Sequence, residues 1–420
     1  MMGTRGLTSA GSASVQIHVG ENTHIMSGEP SLRERVLASP LRRIHMLAWR
    51  DLDDPEAGGS EIHAHAIASR WAAAGLRVTM RTSYAAGRSQ DIERDGYRVV
   101  RKAGRYLVFP RAIASEMARR MGPSDGLVEI WNGMPFFSPL WYRGPRIVLL
   151  HHVHAEMWRM VLPASLARVG ELVEYRAAPP VYRNTDIVTL SRSSRDDMVE
   201  QLGFDPGRIH VVNPGIDQRF RPVGGASSVG TEEGRSLTPL VVAVGRLVPV
   251  KRWDVLIRSL AAIKPQHPRL RAVIAGEGYE REALQDLRAE LGADDWLELP
   301  GRVSDQRLVE LYQQAWFVAS SSVREGWGMT LTEAAACATP AVATDIPGHR
   351  DAVCDGVTGI LAGSSDDLAA AMDEMIADSG TRHTMARAAY EQSLSFSWDT
   401  AAADIFATLD EARQRQARGS

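Results

Sequence analysis

Short apolar runs alternate with amphipathic segments along most of this chain, and this alternation restricts the possible folds more than any other feature. An apolar run at 43–49 is followed by a helical pattern over 61–74 and a second apolar run at 76–82. Gly75 lies between the last two, where a helix would close. A strand, a helix and a strand in this order predict a βαβ unit and therefore a parallel sheet.

The same alternation starts again in the second half of the chain, after a polar stretch rich in Gly, Ser and Thr. A chain of 420 residues exceeds the size of about 250–300 residues at which single cores stop growing. We therefore predict an α/β protein with two Rossmann-like, doubly wound domains that face each other across a cleft. The expected segments are a disordered extension over 1–40, a first domain over 41–220, a linker over 221–238 and a second domain over 239–395.

Composition excludes several classes of function. With 44% hydrophobic and 24% charged residues and a net charge of -3, the chain lacks the basic domain of a nucleic-acid-binding protein. Cys337 and Cys354 are predicted to be free thiols in a reducing compartment rather than a disulfide, because each lies in a small or apolar context, and their spacing suits no metal. No run approaches the roughly 18 apolar residues of a membrane span, and the N-terminus lacks the apolar region of a secretory signal. These features predict a cytoplasmic protein.

The sequence leaves a peripheral contact with the inner face of a membrane open. An apolar segment at 158–163 contains Arg159 and is followed by Arg168. Such a segment could dock on lipid, or on an acceptor at a membrane surface. The alternative is a buried core segment or a lid.

The stretch from Ser322 to Asp345 holds two glutamates eight positions apart, Glu325 and Glu333, with Gly-Trp-Gly between them. The pattern predicts a strand, a glycine-rich turn, a helix and a strand. The unpaired N–H groups of a helix N-terminus favour phosphate, and carboxylates accept hydrogen bonds from hydroxyls. Both needs are met by a nucleotide sugar, in which a diphosphate lies between two hydroxyl-bearing ends. The alternative for Glu333 is a carboxylate that complements the helix dipole.

Two cations follow the first predicted strand of the second half. Arg246 and Lys251 are five positions apart, with Pro249 and a turn between them, so both side chains can point into the crevice at the strand end. A guanidinium and an ammonium suit a diphosphate, above all as a leaving group. The alternative is a pair of surface cations that cap a helix. Gly276 and Gly278 form a similar strand-to-glycine turn, which alone is a weak signal.

These motifs, taken in order, resemble the signature of retaining glycosyltransferase family 4, whose fold is called GT-B. The resemblance covers about residues 43–415 and is strongest over 240–362. It implies that the first domain binds the acceptor, that the second binds the donor, and that a helix over 396–417 crosses back to the first. The segment 347–351 departs from the family's Gly-x-x-Glu, which leaves the choice of sugar or base open. The motifs are Gly245-Arg246 through Lys251, Gly276-Glu277-Gly278, Gly301-Arg302-Val303, Glu325 through Glu333, and Ala338-Thr339-Pro340.

The resemblance also implies roles for single residues. Arg246 and Lys251 would hold the donor diphosphate and act in catalysis. Glu325, also counted as catalytic, would bind hydroxyls of the transferred sugar, and Glu333 would bind the nucleotide ribose. The rest of the implied donor set is Gly58, Gly59, Gly276, Arg302, Val303, Leu308, Gly326, Gly328, Met329 and Thr330.

A glycine turn in the first half is a further phosphate candidate. Gly58 and Gly59 come just before the helical pattern, and Ser60 suits the N-cap of that helix. The alternative is an ordinary capped turn. Family members carry a similar loop, which by resemblance closes over the donor phosphates or the acceptor.

Three histidines, His151, His152 and His154, directly follow the apolar run 146–150. A metal site is disfavoured because alternating side chains point to opposite faces of a strand, so no metal is predicted. The resembling family has a histidine here, near the reacting sugar, and the spacing favours His154, then His151, for a positional or electrostatic role. The alternative is a set of structural histidines. Asn132, with His151 and Ser60, is assigned to the acceptor side, with loop capping as the alternative for Asn132.

The function predicted from the sequence is transfer of a hexose-type sugar, with retention and without a metal, from a nucleotide-diphosphate sugar to an acceptor hydroxyl. The acceptor would be a small molecule, a glycan or a lipid-linked glycan, and no permanently bound cofactor is expected. Two alternatives keep the fold: a sugar-nucleotide epimerase or phosphorylase, and a non-catalytic nucleotide-binding protein. The base, the sugar, the acceptor, the linkage and the oligomeric state cannot be read from the sequence.

Overall fold

The computed structural model describes residues 30–419, which form two α/β halves, each built on one sheet. The strands of the first sheet are β1 (Arg43–Leu47), β2 (Arg77–Thr82), β3 (Asp91–Arg94), β4 (Tyr97–Arg101), β5 (Gly126–Trp131), β6 (Arg146–Leu150), β7 (Asp186–Thr189) and β8 (Ile209–Val211). Their order is β3-β4-β2-β1-β5-β6-β7-β8. Only the hairpin of β3 and β4 is antiparallel in the described sheet.

Helices cover the first sheet, and the loops that join them to the strands lie at its edges. They are α1 (Leu32–Ala38), α2 (Gly59–Ala73), α3 (Val108–Met117), α4 (Ser138–Trp141), α5 (Met157–Val161), α6 (Ala164–Leu172), α7 (Ala178–Tyr182) and α8 (Arg192–Leu202). A single π-helical turn, Val173–Ala177, joins α6 to α7. The strands are buried on both faces, as expected of a parallel sheet covered by helices.

The second sheet has the strands β9 (Leu240–Val244), β10 (Arg271–Ala275), β11 (Leu297–Gly301), β12 (Phe317–Ser320), β13 (Ala341–Thr344) and β14 (Gly359–Ala362). They are all parallel, in the order β11-β10-β9-β12-β13-β14. The order reverses between β9 and β12, and ligands of such sheets bind beyond the carboxyl ends of the strands at this point. The helices are α9 (Trp253–Ile263), α10 (Arg281–Glu290), α11 (Asp305–Gln314), α12 (Met329–Ala336), α13 (Pro347–Ala352), α14 (Ser365–Ala377), α15 (Ser379–Ser393) and α16 (Trp398–Gly419).

The last helix, α16, belongs by its packing to the first half. The indole N–H of Trp71 in α2 donates to the carbonyl of Ala402 (2.9 Å), and Phe406 packs against the Trp71 ring. The two stretches that connect the halves lie side by side, because the N–H of Ile216 donates to the carbonyl of Phe396 (3.2 Å). The predicted architecture, with two facing doubly wound domains and a returning C-terminal helix, is confirmed.

One prediction near the chain start needs correction. The disordered extension was predicted to reach residue 40, but Leu32–Ala38 forms α1. Ser31 caps this helix by accepting from the N–H of Glu34, whose carboxylate accepts from the N–H of Ser31 in return. The part of that prediction that concerns residues 1–29 lies outside the described residues.

The predicted linker over 221–238 is attached to the second half. The guanidinium of Arg235 donates to the carbonyls of Gln313 (3.0 Å) and Ala315 (2.8 Å), and the N–H of Ser236 donates to the carbonyl of Gln314 (2.9 Å). These bonds fix the end of the stretch to the end of α11. The domain limits drawn from the sequence stay predictions.

Candidate functional site

The loops after the strands of the two sheets meet each other. Gly326, in the loop after β12, packs so closely on the loop after β6 that a Cβ atom added to it would lie 2.6 Å from the carbonyl oxygen of His151. Gly59, at the start of α2, lies against the sulfur of Met329, the first residue of α12. The loop after β6 carries His151, His152 and His154 and is called the histidine loop below. The implied donor residue Gly326 thus contacts the histidine loop, and Met329 contacts the glycine turn of the first half.

The first glutamate and the lysine form an ion pair. The Nζ atom of Lys251 lies 2.5 Å from Oε1 of Glu325, and the hydroxyl of Ser322 donates to the same oxygen (2.7 Å). Burial of Glu325 opposes its ionisation, but Lys251, His349 and the Ser322 hydroxyl together outweigh burial and hold the pKa of the carboxyl below its ordinary value. Both side chains are about four-fifths buried. A charged donor and a charged acceptor are therefore side by side at the switch point of the second sheet.

Arg246 follows β9, and its side chain lies against the glycine turn of the first half. Its Nε atom is 3.5 Å from the position of a Cβ atom at Gly58, and its side chain has no hydrogen bond or ion pair among residues 30–419. Burial and the neighbouring Arg50 guanidinium lower the pKa of Arg246. A half-buried cation without a protein partner is costly, so this position favours a bound anion.

The glycine turn is held in place by one glutamate. The carboxylate of Glu61 accepts from the N–H of Gly58 (2.8 Å) and from Nε of Arg50 (3.2 Å). Ser60 was predicted to be the N-cap of α2, but the helix begins at Gly59 and Gly58 is the cap. The Ser60 hydroxyl instead accepts from the side-chain amide of Asn132 (2.9 Å), so the two predicted acceptor-side residues are in contact.

The histidine loop after β6 is buried and carries neutral imidazoles. Burial lowers the pKa of His151 and His152 to about 4 and that of His154 well below its ordinary value. All three rings are therefore neutral at pH 7. His152 and His154 stack (4.9 Å between centroids). His151 instead pairs with His63 of α2, with 3.2 Å between Nε2 and Nδ1.

The second glutamate lies in the second turn of α12 and faces a tyrosine. The hydroxyl of Tyr312 donates to Oε2 of Glu333 (3.2 Å). Burial raises the pKa of Glu333 to about 7, although this hydrogen bond opposes the shift. The helix, the turn before it and the strands on either side lie where the sequence predicted them.

The remaining implied donor residues line the same region of the second half. Val303, Leu308 and Met329 pack partly exposed on one apolar cluster that includes Tyr312. Gly276 has φ +154°, and a Cβ atom there would lie 1.8 Å from the carbonyl oxygen of Gly245, so a side chain cannot be accommodated. Arg302 is exposed, Gly328 caps α12, and Thr330 lies partly exposed in its first turn.

Sequence reasoning missed several residues that contact the predicted ones. Arg50 contacts the glycine turn, His63 pairs with His151, His349 lies buried near Glu325, and Arg324 reaches into the first half. A signal existed for Arg324, which directly precedes Glu325, and for His349, which lies in the segment that departs from the family pattern. No local pattern marks His63, because its partner is 88 positions away.

Two kinds of feature are absent from the described part of the chain. Over residues 30–419, no group of three or more His, Cys, Asp or Glu side chains is arranged to hold a metal ion. Within the same range, no helix has the length and apolar character needed to cross a membrane.

Comparison with known proteins gives matches over both halves. The family model described as "Glycosyltransferase Family 4" matches residues 57–220, and "Glycosyl transferases group 1" matches residues 233–392. Two relatives are described as D-inositol 3-phosphate glycosyltransferase. That from Kribbella flavida is 30% identical over 90% of this chain and 97% of its own length. That from Streptomyces avermitilis is 29% identical over 92% of this chain and 91% of its own length.

Solved structures share the fold at low sequence identity. Sucrose-phosphate synthase from Thermosynechococcus elongatus has a TM-score of 0.74 at 19% identity, covering 90% of this chain and 100% of its own. Anabaena HepE, solved with UDP and glucose, has a TM-score of 0.67 at 20% identity, covering 88% and 100%. Matches on both halves and a full-length relative lead to one conclusion: this chain belongs to glycosyltransferase family 4 and is a glycosyltransferase with the GT-B fold.

Proposed function

We propose that this glycosyltransferase moves a hexose-type sugar from a nucleotide-diphosphate sugar to an acceptor hydroxyl, with retention of configuration and without a metal ion. The observation that carries the proposal is the arrangement of charge at the end of β9. Lys251 and Glu325 form an ion pair there (2.5 Å), and the side chain of Arg246, close to Glu325, has no hydrogen-bond or ion-pair partner among residues 30–419. A diphosphate would be the anionic partner of this cation.

The two cations would act on the leaving group. As the bond between sugar and diphosphate breaks, negative charge builds up on the phosphate oxygen, and Arg246 and Lys251 stabilise it most at that moment. In many other enzymes a metal ion has this task. Fixed cations in a partly buried crevice make the metal unnecessary, which supports metal independence.

The carboxylates would bind the two hydroxyl-bearing ends of the donor. Glu325 lies beside the phosphate-binding cations and would accept hydrogen bonds from the transferred sugar. Glu333, in the second turn of α12, would accept them from the ribose. The neutral imidazoles of the histidine loop would then lie over the sugar, with His154 as the residue that we assign to the reacting centre.

Retention follows if the acceptor attacks from the face that the diphosphate leaves. The departing diphosphate, held by its cations, then lies next to the incoming hydroxyl and can take its proton. This supports a mechanism without a side-chain base. His151, His152 and His154 have strongly lowered pKa values, so each is a weak base.

We further propose that the acceptor binds in the first half, near Asn132 and Ser60. A cavity of about 10 Å³, enough for one water-sized group, is lined there by these two residues together with Trp49, Arg50 and Glu61. Their amide, hydroxyl, guanidinium and carboxylate suit a single hydroxyl of a polyhydroxy acceptor. The relatives are described as acting on D-inositol 3-phosphate, and this compound is therefore the first acceptor to test.

The lysines weigh against a phosphorylase that depends on pyridoxal phosphate, since that cofactor needs a lysine in the cleft. The chain has lysine only at positions 102, 251 and 264. Lys251 is paired with Glu325, and Lys264 donates to the carbonyls of Pro268 and Leu270 (both 2.9 Å) at the far end of α9. Lys102 is exposed at the end of β4.

The test is to incubate the protein with UDP-, GDP- and ADP-sugars, with D-inositol 3-phosphate or a panel of polyols and glycans, and with EDTA. Mass spectrometry detects the product and the free nucleoside diphosphate, and NMR gives the configuration of the new bond. Lys251→Met should abolish turnover, whereas Arg252→Gln, which breaks an exposed pair with Asp254 next to it, should not. Failure of the wild-type protein to bind or turn over any donor would refute the proposal, and an inverted product or inhibition by EDTA would refute its mechanism.

A further inference from the structure

The backbone of the histidine loop is held from two sides by charged side chains. A carboxylate from the first half accepts the N–H groups of residues 154 and 155, and a guanidinium from the second half donates to the carbonyl of residue 153. We propose that Glu174 and Arg324 are positioning residues that together fix His154 at the reacting sugar, and that Arg324 does so only when the two halves are closed. This inference rests on the proposed function of the cleft.

Glu174 binds the backbone of the histidine loop from the first half. Its side chain is fully buried, and it accepts from the N–H of His154 (2.8 Å), the N–H of Ala155 (3.1 Å) and the indole N–H of Trp158 (2.9 Å). It lies in the π-helical turn Val173–Ala177. A π-helical turn is rare and often found at functional sites, because it changes the direction of side chains relative to an α-helix.

The loop conformation depends on such support. Ala155 has φ +47°, in the left-handed region that residues with a side chain seldom adopt. The Trp158 ring packs on the His154 ring (5.0 Å between centroids). It also lies against Gly170, where a Cβ atom would come within 2.5 Å of it. Glu174 therefore fixes both the backbone at His154 and the ring that supports its imidazole.

Arg324 binds the backbone of the histidine loop from the second half. Its Nε atom donates to the carbonyl of Val153 (2.9 Å) and its Nη2 atom to Oδ2 of Asp197 in α8 (2.7 Å), and Nη1 lies 3.6 Å from Glu156. All three partners belong to the first half. The next residue along the chain is Glu325, the proposed contact to the transferred sugar. Arg324 thus connects the donor carboxylate to the histidine loop through a single peptide bond.

This connection makes the position of His154 depend on closure. When the halves separate, Arg324 moves away with the second half, and the Val153 carbonyl loses its donor while Glu174 stays in place. The nucleotide binds mainly to the second half in the proposed function, so loss of Arg324 should affect the chemical step more than nucleotide affinity. Misplacement of a reacting group by about 1 Å can cost about a hundredfold in rate.

The kinetic experiment compares Arg324→Gln, Arg324→Lys, Asp197→Asn and the double variant Arg324→Gln/Asp197→Asn with the wild type. We expect Arg324→Gln to lower kcat by about tenfold to a hundredfold, while the Kd of UDP, or of the nucleoside diphosphate that the wild type binds, changes by less than about threefold. Arg324→Lys can reach only one of the two hydrogen-bond partners, the Val153 carbonyl or Asp197, and should recover part of kcat. If Asp197 acts through Arg324, the double variant will be no slower than Arg324→Gln alone.

The matched control is Arg159→Gln. Arg159, in α5, forms an exposed ion pair with Glu171 (2.6 Å), and among the described residues its side chain has no hydrogen bond to the 153–155 backbone. We expect its kcat to stay within about twofold of the wild type, as is usual for surface pairs. Equal kcat values for Arg324→Gln and Arg159→Gln would overturn the inference. So would weaker nucleotide binding by Arg324→Gln with an unchanged kcat.

A second measurement monitors the backbone of the histidine loop directly and does not depend on catalytic activity. Hydrogen exchange of peptides covering residues 151–158 should be faster in Arg324→Gln and in Glu174→Gln than in the wild type, and unchanged in Arg159→Gln. Unchanged exchange in folded Arg324→Gln would refute the positioning role even if its activity fell. A wild-type protein that transfers no sugar but shows the expected exchange would refute the proposed function and leave the structural coupling intact. If Glu174→Gln fails to fold, the Arg324 variants decide the question.

Discussion

The titration of Glu333 gives the most direct test of the donor site. Burial raises the pKa of this carboxyl to about 7 from an ordinary value of 4.5. If the ionised carboxylate accepts hydrogen bonds from the ribose, a proton competes with the nucleotide. The apparent Kd is then multiplied by one plus the ratio of protonated to ionised Glu333, so it should rise by about tenfold from pH 8 to pH 6. Glu333→Gln cannot titrate and should bind more weakly at pH 8, with a flat profile.

The assay is calorimetric titration between pH 5.5 and 8.5 with a nucleotide sugar, because the terminal phosphate of a free diphosphate titrates in the same range. The comparison is between wild type, Glu333→Gln and the control Glu298→Gln, which breaks an exposed pair with Arg271 on β10. Burial holds the pKa values of His151 and His152 at about 4, outside this range. A flat wild-type profile, or equal slopes for wild type and Glu333→Gln, would refute the assignment of Glu333 to the ribose.

The same shift has a consequence for stability in the absence of ligand. Because the pKa of Glu333 is higher in the folded than in the unfolded state, the folded state binds the proton more tightly, and stability is lost as the pH rises from 4.5 to about 7. The full shift corresponds to about 3 kcal/mol, and since solvent reaches part of the side chain, we expect about 1–2 kcal/mol. Denaturant unfolding should show Glu333→Gln to be more stable than the wild type at pH 8 by this amount, and nearly equal at pH 5.

Three other predictions concern the fold and the cleft. Arg235→Met should lower the free energy of unfolding by about 3 kcal/mol, because it leaves partly buried carbonyls at the end of α11 without a donor. Denaturant titration measures this loss, with Arg269→Met in an exposed turn as the control. Removal of residues 396–420 should abolish the single cooperative melt in calorimetry, since α16 packs on the first sheet; a retained melt would contradict the expected coupling. Glu325→Gln should bind UDP more tightly but a UDP-sugar more weakly than the wild type, measured by titration with both ligands.

The parts of the fold that the sequence predicted are those set by local periodicity. The βαβ unit predicted at 43–49, 61–74 and 76–82 is observed as β1, α2 and β2 with limits that differ by at most two residues, because a buried parallel strand is a continuous apolar run and an amphipathic helix repeats every 3.6 residues. Strand β3 was missed because it is a charged edge strand, Asp91–Arg94, without an apolar face. Helix α1 was missed although Ser31 and Glu34 form a capping box that can be read from the sequence.

The candidate site was predictable to the extent that its residues lie in motifs. Glu325, Glu333, Arg246 and Lys251 each follow a strand or open a helix, and the edges of parallel strands bring such positions together. The contacts between the halves were not predictable. Arg324 and Asp197 are 127 positions apart, and nothing in the local pattern of either segment specifies the other.

The prediction for Glu325→Gln follows from the charges around the cleft. Arg50 is paired with Glu61, Lys251 with Glu325 and Arg324 with Asp197, so within the described part of the chain Arg246 alone of these cations has no paired carboxylate. A diphosphate must therefore draw Lys251 away from Glu325 to gain a second cation, and Glu325 then needs new donors, which sugar hydroxyls supply.

A free nucleoside diphosphate breaks the pair without providing those donors, and a free sugar provides them without releasing Lys251. The ion pair thus makes the two parts of the donor bind better together than apart. Gln at position 325 frees Lys251 in advance, which should favour the free diphosphate, and it removes the charged acceptor, which should weaken binding of the intact donor. Opposite changes in the two affinities would show that the pair is exchanged on binding, whereas parallel changes would show that Lys251 stays on Glu325.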